Sequence, residues 1–153
     1  SDVCSSDLEQ ILVNYQKDSR RVSPFLVPMM MSNAASAAVS MRHGFRGPCE
    51  TTVTACAAST HSIGSAMRYI RWDMVDVMIA GGAESALTPT ALAGFGNMTA
   101  LTRTGISRPF DAERDGFAIA EAAGVLVLEE LEHALGRGAT IYGEIAEIGR
   151  AHV

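Results

Sequence analysis

The sequence predicts an α/β protein in which helices cover a mainly parallel sheet. Helical and strand-like patterns alternate along most of the chain, the signature of a sheet with both faces covered. The strand candidates include an apolar, β-branched run at residues 51–55, as a buried strand requires. The interior is built from small residues: the chain is 48% hydrophobic but only 6% aromatic, so alanine, glycine and methionine must fill it. A length of 153 residues allows one domain.

In chain order, the first confident pattern is a helix over 28–42. Met31, Ala34, Ala35, Ala38 and Val39 recur at helical spacing, with Pro28 suited to the first turn and Gly44 to the position just past the end. Its other face carries Ser32, Ser36 and Ser40. A helix that is small and uncharged all round is expected to be buried. A strand over 50–55 follows, then a helix over 59–72 with Ile63, Ala66, Met67 and Ile70 on one face. A strand over 75–80 ends at Gly81-Gly82, which reads as a tight turn, since neither GxGxxG nor GxxxxGK[ST] is present. The remaining elements are a helix over 90–98, a loop over 99–116, a strand over 117–128, a helix over 130–135 and a strand over 140–146. A loop as long as 99–116 tends to be functional or mobile. No repeat, low-complexity tract or linker interrupts the series.

Charge and cysteine usage narrow the function classes. A net charge of −5 gives no support for nucleic acid or an anionic membrane as partner. Apolar stretches are too short and too often broken to span a membrane. Cys49 and Cys56 match neither a zinc-ligand pair nor a CxxC redox pair, and so few cysteines suggest a reducing, cytoplasmic setting. Both ends of the chain read as foreign. Ser1–Leu8 back-translates to TCAGACGTGTGCTCTTCCGATCT, a common sequencing adapter, and the reverse complement of that string, preceded by a G, encodes Glu147–Val153 followed by a stop codon. Residues 1–8 and 148–153 are therefore expected to be non-native, leaving 9–147 for the functional argument.

Cys56 sits where the apolar run Thr51–Ala55 stops and the helix over 59–72 begins. There the unpaired N–H groups and the macrodipole of a helix N-terminus favour a thiolate, and could stabilise an oxyanion once the sulfur attacks a carbonyl. Taken alone, such a cysteine also fits a small buried core residue. Its neighbours weigh against that. Thr54-Ala55-Cys56-Ala57-Ala58-Ser59 resembles the nucleophile segment of the β-ketoacyl-ACP synthases, the condensing enzymes of fatty-acid synthesis. Asp76 to Glu84, Ser107 to Phe117 and Gly124 to Glu129 resemble three further blocks of that family, in the family's order. The elongating bacterial type is the nearest likeness.

The resemblance implies a thiolase-like layered αβαβα fold of which only part of the N-terminal half is present. It implies Cys56 as the acyl-accepting nucleophile, with acyl carrier protein delivering acyl and malonyl groups. It carries Met31 and Phe95 over to positions lining the acyl tunnel, and implies a homodimer with no metal or redox cofactor. The two family histidines belong to the second half, and neither a His-Gly-Thr-Gly-Thr segment nor the family's His-Asn block occurs here. Glu121-Ala122-Ala123-Gly124 departs from the usual Glu-Gly-Ala-Gly, leaving the conformation at Ala122 open. A polyketide ketosynthase or thiolase fragment and a non-catalytic chain-length partner are the competing readings. Cys56 speaks against the chain-length partner, and a cysteine hydrolase lacks a placed base.

Other reactive side chains read as structural. His61 lies five residues past Cys56, on a different side of the helix, and is a poor general base. His43 reads as a C-terminal cap, His133 as solvated and Cys49 as inert. Arg108, Asp111, Glu113, Arg114 and Asp115 read as a salt-bridged loop in preference to a catalytic carboxylate cluster.

Overall fold

The computed structural model describes residues 3–146; the segment 148–153, expected to be non-native, lies outside the described residues, as do Ser1 and Asp2. The elements run α1 (Val3–Gln16), a 3₁₀ turn (Ser19–Arg21), α2 (Leu26–Met30), α3 (Ala34–His43), α4 (Ala58–Arg71), β1 (Val77–Glu84), α5 (Pro89–Asn97), β2 (Ala122–Glu129) and α6 (Leu131–Gly136). Among the described residues they group into two compact units, one comprising the chain up to Ser32 with Glu84–Ala122, the other Asn33–Ala83 with the chain from Ala123 on.

In the first unit, the Ser23 N–H donates to Gln10 Oε1 at 2.8 Å, tying the lead-in of α2 to α1. Thr88 caps α5 by accepting the Ala91 N–H at 3.1 Å, and Pro89 occupies its first turn, where its missing donor costs nothing. The long segment after α5 folds back on itself. Phe117 N–H donates to the Ala100 carbonyl and Thr102 N–H to the Phe117 carbonyl, both at 3.0 Å. Gly116 makes that return possible: its φ is +137°, and a Cβ there would lie 2.6 Å from the Ala100 oxygen. Phe117 therefore forms an isolated bridge with Leu101, and the strand expected over 117–128 begins only at Ala122.

In the second unit, α4 packs on the strand pair through Ala66, 2% exposed, with Ala80 and Leu128, flanked by Ile63, Ile70, Met78 and Ile145. The strands form a two-stranded sheet. The Glu130 N–H donates to the Asp76 carbonyl at 2.9 Å, joining the entry of β1 to the exit of β2, and Gly81 in mid-strand abuts Gly124 and Val125. That register is antiparallel. The described pair is thus antiparallel, whereas alternation of helix and strand patterns favours parallel neighbours; alternation is a tendency of a whole sheet and does not fix any one pair.

Three further expectations change. The helix over 28–42 is two helices, broken at Met31, whose backbone is extended (φ −63°, ψ 121°). The polar pair Ser32-Asn33, which competes for backbone hydrogen bonds, follows the break. α3 buries none of its residues, so its small uncharged surface stays open. The β-branched run at 51–53 is not part of a strand, and 140–146 is likewise irregular, although Ile145 reaches the core. β-Propensity describes fit to a pleated, half-buried surface, which composition alone does not supply.

Candidate active site

Cys56 stands two residues before α4, exposed and free. A tight double turn delivers it: the Ala57 N–H donates to the Thr54 carbonyl and the Ala58 N–H to the Ala55 carbonyl, each at 3.1 Å. Ala55, the second of the two acceptors, has φ +50°. A left-handed alanine costs about 1–2 kcal/mol, and such strain gathers at sites where a side chain must be presented. Ala57, at the helix cap, offers no side-chain hydrogen bond, so the first turn of α4 is uncapped. Its N–H groups point toward the Cys56 side of the helix, as an anion or oxyanion would require.

Two anchors fix the run leading to Cys56. Glu50 accepts the Tyr69 hydroxyl at 2.8 Å, which pushes the Tyr69 phenol above its ordinary value, and the Glu50 carbonyl accepts the Ser36 hydroxyl at 3.4 Å. The glycine pair lies inside β1 and not in a turn after it, correcting the sequence reading. A Cβ on Gly81 would strike the Gly124 carbonyl and come within 2.8 Å of Val125 Cα. A Cβ on Gly82 would overlap Ser59 Oγ and approach Ser59 Cβ to 2.9 Å. β1 thus meets β2 at one glycine and the first turn of α4 at the next.

The other named residues fall elsewhere. Met31 is half exposed at the end of α2, and Phe95 lies in α5 with its ring edge-on to Phe117 at 5.4 Å; both belong to the first unit, whereas Cys56 belongs to the second. His61 is exposed on α4. His43 stacks on Phe45 at 5.3 Å, while Gly44 (φ +67°) closes α3 by donating to the Ser40 carbonyl. His133 is not simply solvated, since its Nδ1 meets Glu129 Oε1 at 2.6 Å. Cys49 is exposed.

The charged block is held by hydrogen bonds to backbone and hydroxyl groups, with no ion pair among its five members in the described residues. Asp111 accepts the Glu113 N–H at 2.7 Å, and Arg114 donates to the Asp111 carbonyl at 2.8 Å. Asp115 accepts the Thr102 hydroxyl at 2.6 Å and the Arg103 N–H at 2.9 Å, and those bonds, Thr102's first, hold its carboxyl below the usual range. Glu121 accepts the Leu87 N–H at 2.9 Å and the Ser85 hydroxyl at 3.3 Å, fixing the chain just past β1. Ala122 opens β2 in an ordinary conformation with its methyl exposed, so it needs no glycine. Sequence reasoning missed the roles of Ala55, Gly82 and Glu121. Only the glycine pair left a visible mark, and it pointed to a turn.

This arrangement has close counterparts of known structure, and they define the class: the fold is that of the thiolase-like ketosynthases. A type II polyketide ketosynthase solved in complex with its acyl-carrier protein superposes with a TM-score of 0.80 at 32% identity, covering 88% of this chain and 36% of that one. A β-ketoacyl synthase from Burkholderia phymatum gives 0.78 at 35% identity, covering 88% and 34%. Within that class the chain belongs to the β-ketoacyl synthase family, whose N-terminal domain profile matches residues 3–134. It is 49% identical over 140 residues to a mitochondrial 3-oxoacyl-[acyl-carrier-protein] synthase of Arabidopsis thaliana, covering 88% of this chain and 30% of that protein. It is 48% identical over 139 residues to 3-oxoacyl-[acyl-carrier-protein] synthase 2 of Rhizobium meliloti, covering 87% and 33%. The chain thus spans about a third of the length of these relatives.

Proposed function

We propose that the chain is the nucleophile-bearing part of a 3-oxoacyl-[acyl-carrier-protein] synthase that elongates fatty acyl chains. The observation that carries this is an exposed, free Cys56, presented by a strained turn at an uncapped helix N-terminus, in a chain of the β-ketoacyl synthase family. The Cys56 thiolate attacks the carbonyl carbon of an acyl thioester on acyl carrier protein. The tetrahedral oxyanion collapses, the carrier thiolate departs and takes up a proton, and the acyl group stays on Cys56. Malonyl carrier protein then loses carbon dioxide, and the resulting enolate carbon attacks the Cys56 thioester. Cys56 leaves as thiolate, giving a 3-oxoacyl product two carbons longer.

The histidine pair that promotes decarboxylation is assigned to the part of the protein beyond this chain. Met31 and Phe95 are assigned to the acyl tunnel. Acyl carrier protein as partner is supported by the similar ketosynthase solved with its own carrier protein. We assign a homodimer and a cytoplasmic setting to the whole protein, and assign residues 1–8 and 148–153 to adapter sequence. Codons at either end that differ from the adapter would reject that last assignment.

The polyketide alternative is disfavoured by identity, which is 48–49% to the 3-oxoacyl synthases above and 32% to the polyketide ketosynthase. The test is turnover of radiolabelled malonyl carrier protein with a fatty acyl primer by the full-length protein. Condensation lost in Cys56→Ala supports the proposal, and condensation retained rejects it.

A further inference from the structure

Gly82 lies in β1, remote in sequence from Cys56, and the space beside its Cα is filled by Ser59 in the first turn of α4. A Cβ added at Gly82 would overlap Ser59 Oγ, and a serine can escape that by rotating its hydroxyl. It cannot escape the second contact: the same Cβ would lie 2.9 Å from Ser59 Cβ and 3.5 Å from Ser59 Cα, atoms fixed to the helix backbone. Any side chain at 82 must therefore lift the first turn of α4 away from the strand. β1 is itself held close to β2 at the adjoining position, where a Cβ on Gly81 would meet the Gly124 carbonyl and Val125 Cα. The lifted turn carries Ala57 and Ala58, whose N–H groups close the turn that presents Cys56.

We infer that Gly82 is a positioning residue for Cys56: the absence of its side chain sets the height of the first turn of α4, and with it the place of the thiol relative to the helix N–H groups. The inference rests on the reading of Cys56 as the nucleophile and adds to it a residue with no reactive chemistry of its own.

The test uses the full-length protein and reads the rates at which iodoacetamide labels Cys56 and Cys49, by peptide mapping of the same sample. Cys49 serves as an internal reference that global loosening does not favour. In the parent protein Cys56 is labelled first; if it is not, the nucleophile reading and this inference fall together. In Gly82→Ala the Cys56:Cys49 ratio is expected to drop about tenfold as the thiol leaves its presented position at the start of α4. In Gly82→Ala/Ser59→Gly, where the opposing side chain is gone, the ratio is expected to recover. Should Gly82→Ala fail to fold, Ser59→Val supplies the same clash from the helix side and is expected to show the same drop. A parent protein that labels Cys56 first, together with a folded Gly82→Ala or Ser59→Val that keeps the parent ratio, overturns the positioning role alone. So does a folded double variant that does not recover.

Discussion

Arg137 grips Glu129 through two nitrogens, with Nε on Oε1 and Nη2 on Oε2, both at 2.6 Å. The pair joins the last residue of β2 to the residue that closes α6, and His133 shares the Oε1 side. These bonds, Arg137's foremost, hold the Glu129 carboxyl at about 2, well below its ordinary 4.5. Because the folded value lies below the unfolded one, the contribution to stability is complete above about pH 4.5 and is lost as pH falls toward about 2. In the full-length protein, melting temperature followed from pH 6 downward should fall through that window, and Glu129→Gln should flatten the fall. A Glu129→Gln curve parallel to the parent's would remove Glu129 as its cause.

Cys56→Ala should lower condensation by roughly a thousandfold or more, since removing a nucleophile that acts as part of a unit abolishes most of the rate enhancement. Cys49→Ala should leave it near the parent rate. Steady-state malonyl turnover for the two variants side by side distinguishes the roles of the two exposed thiols.

Gly44→Ala should destabilise by about 1 kcal/mol, the cost of a left-handed alanine. A Cβ at that position meets nothing within 4 Å, so the penalty is one of backbone conformation and not of crowding. Gly44→Asn, which tolerates the same φ, should cost less. Chemical denaturation of both variants of the full-length protein measures the difference; equal losses would place the penalty elsewhere.

The chain alone should neither condense thioesters nor melt cooperatively. Val125 and Val127 are 63% and 64% exposed on β2, and α3 buries nothing. Apolar area left in water forfeits about 25 cal/mol per Å², against a net stability of about 5–15 kcal/mol for an ordinary domain. Calorimetry and sedimentation of the chain alone check this, and a sharp melt from a soluble monomer would contradict it.

Much of the site could be read from residue order. The helix expected over 59–72 is Ala58–Arg71, because Ile63, Ala66 and Ile70 form one apolar stripe whose partners lie in the strands that follow. Cys56 falls at its start, as the junction of patterns implied. What could not be read depends on contacts distant in sequence. The Thr51–Val53 run has strand composition but is not part of a strand. Gly81 and Gly82 looked like a turn because glycine marks both turns and close approaches, and only the positions of Val125 and Ser59 tell them apart. The break after Met30 was hidden in a helical spacing that Ala34 to Val39 continue in register.

The seam between α4 and the strands is built on Ala66 and Ala80 with Leu128, Gly64 is also buried, and no large side chain is fully buried among the described residues. At its alanine and glycine positions such a seam has almost nothing to lose by truncation and much to lose by growth. In a saturation screen, the familiar polarity of core positions should be reversed. Enlargement at Ala66, Ala80 or Gly64 would be purged, while Leu128 and the flanking aliphatics would tolerate swaps that conserve volume. Lineages sharing this seam could vary its size only by paired changes on helix and strand, so its history should be written in coupled substitutions.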